Sequence, residues 1–201
     1  MKLPFSGCVY ESYPKGSVTQ WFGENPELYS RFGLAHHNGI DLVAPHGTPI
    51  YSVCDGTVYA VKNQEDGYGR HVRIKTSPVK EISEQWTYGH LDTITVKRGQ
   101  KVKAGDQIGT MGNTGFVVSG ATPFWKHNPY AGTHLHITLR KMWGDTVLDY
   151  ENGVKGAIDP MPLLKKTKLS DEEMAKYLTI ISLLNQVVGL YKKLIETKNG
   201  K

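Results

Sequence analysis

The sequence of 201 residues contains two cysteines, five phenylalanines and no long apolar run. Cys8 and Cys54 are too few for a disulfide framework and do not form a Cys-x-x-Cys pair, so two free thiols or one incidental bridge are expected. No stretch is long and apolar enough to span a bilayer. Residues 1–7 also lack the apolar run of a signal peptide. The formal net charge of +5 is uneven: residues 165–201 carry eight Lys against four acidic residues, while residues 1–164 carry 16 Lys+Arg against 15 Asp+Glu. The main part of the chain therefore has no basic stripe of the kind that nucleic acid requires, and no nucleic-acid partner is expected.

What is present suits a β protein. Twenty-two glycines beside so few phenylalanines favour a turn-rich sheet over a helical bundle. With 39% hydrophobic and 21% charged residues, the chain can build a packed core and is expected to form one domain with an appendage. The expected division is an N-terminal segment over 1–17, a main domain over 18–164, and a linker with a helix over 165–201. A short strand is expected over 18–22, and one helical turn over 27–32. His37 and Asp41 are four apart, but Gly39 lies between them and Pro45 follows, which predicts a loop running into a strand rather than a helix. Residues 49–54 and 57–61 flank Asp55-Gly56, a pattern that predicts a hairpin. Residues 76–85 read as a polar loop. Further strands are expected over 71–75 and 85–91, with short ones near Val102, Ile108, Met111 and Val147.

The densest chemical signal is Gly132-Thr133-His134-Leu135-His136-Ile137-Thr138-Leu139. In a strand His134 and His136 share a face, with Cα atoms about 6.5–7 Å apart. That spacing lets one imidazole hold a metal while the other reaches a substrate on it. His37, Asp41 and His90 complete a candidate set. Two histidines and a carboxylate recur as catalytic zinc ligands, with the fourth tetrahedral position left to water. The competing reading is a scatter of surface histidines. His36 is taken as surface or supporting, His46 and His71 as structural or solvated. His127, in the aromatic stretch 121–132, is a candidate for lining a groove.

His37-x-Gly39-x-Asp41, Ala44-Pro45-x-Gly47-Thr48, Asp55-Gly56-Thr57-Val58, Tyr88-Gly89-His90-Leu91, Gly112-Asn113-Thr114-Gly115 and His134-Leu135-His136 stand in this order along the chain. Together they resemble lysostaphin-like (LytM-type) zinc endopeptidases over roughly residues 18–164. The resemblance implies a mainly antiparallel β fold with a groove, one zinc ion per chain and hydrolysis of peptide bonds in bacterial peptidoglycan. It implies His37, Asp41 and His136 as zinc ligands, and His134 and His90 as catalytic histidines. His134 would act as general base; His90 would stabilise the oxyanion or orient the water. Two departures stand out. Thr114 and His134 are separated by 19 residues, consistent with an insertion near 121–132, and the family's Phe-Glu after His-Leu-His is replaced by Ile137-Thr138. A non-catalytic wall-binding or hydrolase-activator module of the same fold is the alternative.

The tail is different in kind. Ser170-Asp171-Glu172-Glu173 reads as a capping box, and apolar residues from Met174 to Ile195 follow a 3-4 spacing. They predict an amphipathic helix whose apolar stripe packs on its own domain, self-associates or docks on a partner. The expected site of action is the cell wall, whether extracellular, periplasmic or phage-associated.

Overall fold

The computed structural model describes residues 1–119, 122–123, 126–128 and 130–165. Its strands are β1 (Val18–Gln20), β2 (Ile40–Leu42), β3 (Pro49–Tyr51), β4 (Gly56–Asn63), β5 (Arg70–Lys75), β6 (Ile82–Gly89) and β7 (Leu91–Ile94). They continue with β8 (Lys101–Val102), β9 (Gln107–Met111), β10 (Val118–Ser119), β11 (Thr122–Pro123), β12 (Leu135–Trp143), β13 (Thr146–Val147) and β14 (Ala157–Ile158). Two short helices, α1 (Pro26–Ser30) and α2 (Met161–Leu164), complete the described elements. The expected mainly β architecture is what forms, although β6 starts inside the stretch read as a polar loop. The expected helix beyond residue 170 lies outside the described residues. None of the described helices is long and apolar enough to cross a membrane.

A nine-stranded sheet runs β1-β2-β12-β6-β5-β4-β8, with β13 and β14 also pairing with β12. A second sheet of three strands has the order β3-β9-β7. Alternation within the central strands decides what each face buries. Leu135, Ile137 and Leu139 of β12, Trp86 and Tyr88 of β6, and Val72 and Ile74 of β5 are fully buried on one face. Ile50, Ile108 and Met111 of the smaller sheet belong to the same core, which fixes the two sheets against each other. Residues 1–17 join it: Phe5 and Cys8 are core residues, and the Pro4 carbonyl accepts from Tyr51 N–H at 2.8 Å. Both cysteines are free and buried, and burial pushes each thiol up to about 12.

The hairpin expected at Asp55-Gly56 does not form. β3 pairs with β9, whereas β4 pairs with β5 and β8, so the chain changes sheets at this point. A tight hairpin of this type needs positive φ at both turn residues. Neither Asp55 nor Gly56 has it. Asp55 instead accepts from Ala104 N–H at 2.9 Å and Lys103 Nζ at 3.1 Å, tying the crossing to the 103–106 turn. Gly56 is needed because a Cβ there would sit 2.6 Å from the Lys75 carbonyl oxygen on β5.

Candidate metal centre and groove

The centre is built where β2 meets β12. In their antiparallel register Asp41 stands directly opposite His136. His37 lies on the loop entering β2, as its Gly39 suggested. A Cβ on Gly39 would meet the His136 ring at 2.8 Å and the Ile137 carbonyl at 2.4 Å, so only glycine lets this loop close over the strand. His134 falls one residue before β12 and its N–H reaches the Gly112 carbonyl at 3.2 Å. His90 joins β6 to β7 with φ of 61°. A non-glycine residue in the left-handed region costs backbone energy and is held there by its surroundings. Here the His90 N–H bonds to the Tyr68 carbonyl at 2.8 Å.

His37 Nε2, Asp41 Oδ1 and His136 Nδ1 converge. His37 Nε2 is 3.1 Å from His136 Nδ1 and 3.3 Å from Asp41 Oδ1, and His136 Nδ1 is 2.7 Å from Asp41 Oδ1. All three residues are buried. Ligand atoms around a tetrahedral zinc lie roughly 3.3 Å apart, given metal–ligand bonds of about 2.0–2.2 Å. The first two separations match; the third is shorter because His136 and Asp41 are at hydrogen-bond distance. The donor set therefore fits a zinc ion.

The outer ring nitrogens set the tautomers. His37 Nδ1 donates to the Trp21 carbonyl at 2.9 Å, His90 Nδ1 to the Thr114 carbonyl at 2.7 Å, and His134 Nδ1 to the Gly132 carbonyl at 2.7 Å. A carbonyl only accepts, so in each neutral ring Nδ1 holds the proton and Nε2 keeps its lone pair. His134 Nε2 points back to Asp41 Oδ1 at 3.7 Å, and the His90 and His134 rings lie 4.7 Å apart. His136 is turned the other way: Nδ1 faces the cluster and Nε2 meets Thr138 Oγ1 at 2.8 Å. Thr138, two residues beyond His136 on the same face of β12, thus holds the ring from its outer side.

Electrostatics follow from this packing. Burial alone would raise the Asp41 carboxyl; the neighbouring imidazoles of His134, His136 and His37 outweigh it and hold Asp41 well below the usual carboxylate range. Burial, reinforced by His134 and His136, holds the His90 imidazole well below its ordinary value. Burial also lowers His136 despite the pull of Asp41. Both rings are neutral at pH 7, the form that coordinates metal or accepts a proton.

The remaining histidines are not brought to the cluster. His36 Nδ1 donates to the His37 carbonyl at 2.9 Å and packs its ring on Phe22. His46 lies 3.9 Å from Asp92 and against Tyr130, and His127 is exposed. His71 is fully buried with Nδ1 on the Gly69 carbonyl at 3.0 Å. Within the stretch 121–132, the carbonyls of Asn128 and Ala131 accept from Asn113 Nδ2 at 3.0 and 2.8 Å, tying it to the loop that supports His90. Phe124 and Trp125 lie outside the described residues.

A groove of about 860 Å³ opens beside the cluster and is lined by Asp41, His90, His134 and His136. Sequence reasoning missed several residues at its floor. Tyr68 stacks on His136 with ring centroids 5.3 Å apart, and its hydroxyl accepts from Asn38 Nδ2 at 2.8 Å and Arg140 at 3.3 Å. Burial opposes its phenolate, but the Arg140 charge and hydrogen bonds from Thr138, Arg140 and Asn38 lower its pKa below that of an ordinary tyrosine. The one available signal was Tyr68 standing between two glycines. Gly69 packs on Gly115 so closely that a Cβ on either would strike the other's backbone within 2.5 Å.

A mainly antiparallel β fold with a buried His-Asp-His cluster at a groove defines a metallopeptidase-type scaffold. The family model for peptidase family M23 matches residues 35–153, and the chain belongs to that family. Among solved structures, the catalytic domain of the prophage-encoded M23 protein EnpA from Enterococcus faecalis is 32% identical, with a TM-score of 0.51 over 77% of this chain and 95% of its own. The catalytic domain of lysostaphin from Staphylococcus simulans is 26% identical, with a TM-score of 0.50 over 66% of this chain and 81% of its own. Peptidoglycan DD-endopeptidase ShyA of Vibrio cholerae is 38% identical over 106 residues, 53% of this chain and 20% of ShyA. Murein hydrolase activator NlpD of Escherichia coli is 38% identical over 101 residues, 49% of this chain and 25% of NlpD. The chain thus matches a quarter or less of the length of these two relatives.

Proposed function

We propose that this chain is a zinc endopeptidase that hydrolyses peptide bonds in bacterial peptidoglycan. The observation that carries the reading is the convergence of His37 Nε2, Asp41 Oδ1 and His136 Nδ1, with the free Nε2 atoms of His134 and His90 beside them at an open groove. His37, Asp41 and His136 would hold the metal. A bound zinc supplies Lewis-acid polarisation of the scissile carbonyl and lowers the pKa of its water to about 7.

The histidines have separable tasks. His134, its Nδ1 proton fixed by the Gly132 carbonyl, accepts the proton of the attacking water at Nε2 and delivers it to the leaving amine. His90 is too strongly desolvated to store that proton, and its Nδ1 proton is committed to Thr114. Its Nε2 lone pair therefore orients the water, rather than donating to the oxyanion. Thr138 Oγ1 accepts from His136 Nε2–H, which keeps Nδ1 as the coordinating atom.

Peptidoglycan as substrate is supported by what the relatives do: ShyA is a peptidoglycan DD-endopeptidase, and lysostaphin is an antimicrobial peptidase. The likeness to NlpD gives a second reading, a hydrolase activator that cleaves nothing itself. The presence of all five groups at the cluster favours the catalyst. Metal analysis and incubation with purified peptidoglycan separate the two. About one zinc per chain, with new peptide ends found by mass spectrometry, is the expected result. Zinc-loaded, folded protein that releases no fragments, but stimulates a separate wall hydrolase, would establish the activator.

A further inference from the structure

The floor of the groove beyond the metal centre is built from the polar face of the central strands. Thr138 stands opposite Thr87, which stands opposite Arg73; Arg140 stands opposite Gln85. Arg140 is only 7% exposed, and Arg73 is half-buried. Both line the groove together with the metal-cluster residues. Holding two guanidinium groups in one partly buried groove is unfavourable unless something balances their charge. Within the chain little does. Among the described residues, no ion pair involves Arg73 or Arg140. Arg140 spends its hydrogen bonds on neutral acceptors, Nε on the Lys155 carbonyl at 2.9 Å and the far nitrogen on Tyr68. The acid that lines this end, Asp145, is already held by Lys75 at 3.0 Å.

The orphaned atoms point to the same place. Five buried side-chain polar atoms among the described residues have no hydrogen-bond partner, and three of them, His71 Nε2, Arg73 Nε and Thr87 Oγ1, belong to this face. Burial and the Arg140 charge also lower the pKa of Arg73, as expected for a cation whose counter-ion is not part of the chain.

We infer that Arg73 and Arg140 form a carboxylate-binding subsite in the groove. It selects peptides that carry a free carboxylate a short distance from the bond to be cleaved. A guanidinium offers a planar fork matched to a carboxylate, and among the described residues no hydrogen bond or ion pair occupies that of Arg73. On β12, Thr138 lies two residues beyond His136 and Arg140 four, so the subsite spans about 7 to 13 Å along the strand from the metal centre. An extended peptide advances about 3.3–3.6 Å per residue, which places the carboxylate about two to four residues from the scissile bond. The inference deepens the peptidase reading and rests on it for the identity of the peptide.

Calorimetry on the zinc-loaded full chain tests it with two pairs of probes. The first pair is an uncrosslinked peptidoglycan stem peptide with free carboxylates and the same peptide with all of them converted to carboxamides. The second is a blocked alanine pentapeptide carrying Glu at its centre and its Gln counterpart. Tenfold or tighter binding of the acid over the amide in either pair is expected. The preference should disappear in Arg73→Gln and survive in part in Arg73→Lys, which keeps the charge but not the fork. Because Arg140 also holds Tyr68, Arg140→Gln is read only beside an unchanged melting temperature. Discrimination in the alanine pair alone, without binding or cleavage of stem peptides, upholds the subsite and removes peptidoglycan as the substrate. Equal affinity for acid and amide in both pairs, or a preference unaltered in Arg73→Gln, overturns the inference.

Discussion

The two faces of the β12-β6-β5 sheet share the same strands, yet do opposite things. One face carries Leu135, Ile137, Leu139, Trp86, Tyr88, Val72 and Ile74 and is sealed in the core. The other carries His136, Thr138, Arg140, Thr87, Gln85 and His71, which are buried almost as deeply. Alternation in an antiparallel sheet normally separates a core face from a wet one. Here it separates an apolar core from a buried polar floor. The apolar face contributes stability by removing surface from water. The polar face costs desolvation, which is offset by hydrogen bonds where the chain supplies them and left uncompensated at His71 Nε2, Arg73 Nε and Thr87 Oγ1.

The largest effect should come from the metal end of the polar face. His37→Ala or His136→Ala should abolish zinc retention and hydrolysis together, measured by metal analysis after dialysis and by peptide release. Melting temperature should fall as well, because an ion bound only by the native state stabilises that state. A folded variant that keeps its zinc would take that residue out of the ligand set. His134→Ala should behave differently, retaining zinc while hydrolysis drops on the order of 100-fold or more. Wild-type turnover there would assign the base elsewhere.

Substitutions in neighbouring rows sharpen the contrast between the faces. Leu139→Ala, on the apolar face, should cost about 2–5 kcal/mol in denaturant unfolding, through lost burial and a cavity. Thr87→Val, on the polar face, removes a hydroxyl that has no partner at nearly constant shape, and should change stability by less than about 1 kcal/mol, in the stabilising direction. A large loss would mean that this hydroxyl is satisfied in solution.

Acid should act through the polar face. Burial holds the His71 imidazole down to about 4, against 6.5 when unfolded. Between these values the unfolded chain binds more protons, so stability rises with pH. The contribution is complete above the unfolded pKa and is lost as pH falls towards 4, a difference of roughly 3 kcal/mol. It should appear as a gap between wild type and His71→Phe in melting experiments over this range. Parallel curves would show that His71 titrates normally.

Much of the site was legible in the chain. His134 and His136, two apart in a β-branched run, had to share a face if the run was a strand, and Gly39 with Pro45 favoured a loop over a helix at His37 and Asp41. The fold class followed from glycine-punctuated short strands. Asp55-Gly56 misled because turn chemistry is local, whereas the choice of sheet depends on partners at Lys75 and Lys103. Tyr68, Arg73 and Arg140 were not marked as groove residues because an arginine or tyrosine looks the same in sequence whether it faces water or a groove.

By itself the sequence determined the mainly β class, which residues share a face within a strand, and the set of groups able to bind a metal, because side-chain direction in a strand has a period of two and needs no distant information. Only the tertiary structure decided which polar face would be covered. It brought His37 to His136 across 99 residues and Asp41 to His136 across 95. It also left Nε2 unprotonated on His37, His90 and His134 through carbonyls at Trp21, Thr114 and Gly132, and Nδ1 unprotonated on His136 through Thr138. Those contacts depend on register and sheet packing, which join parts of the chain that no local pattern connects.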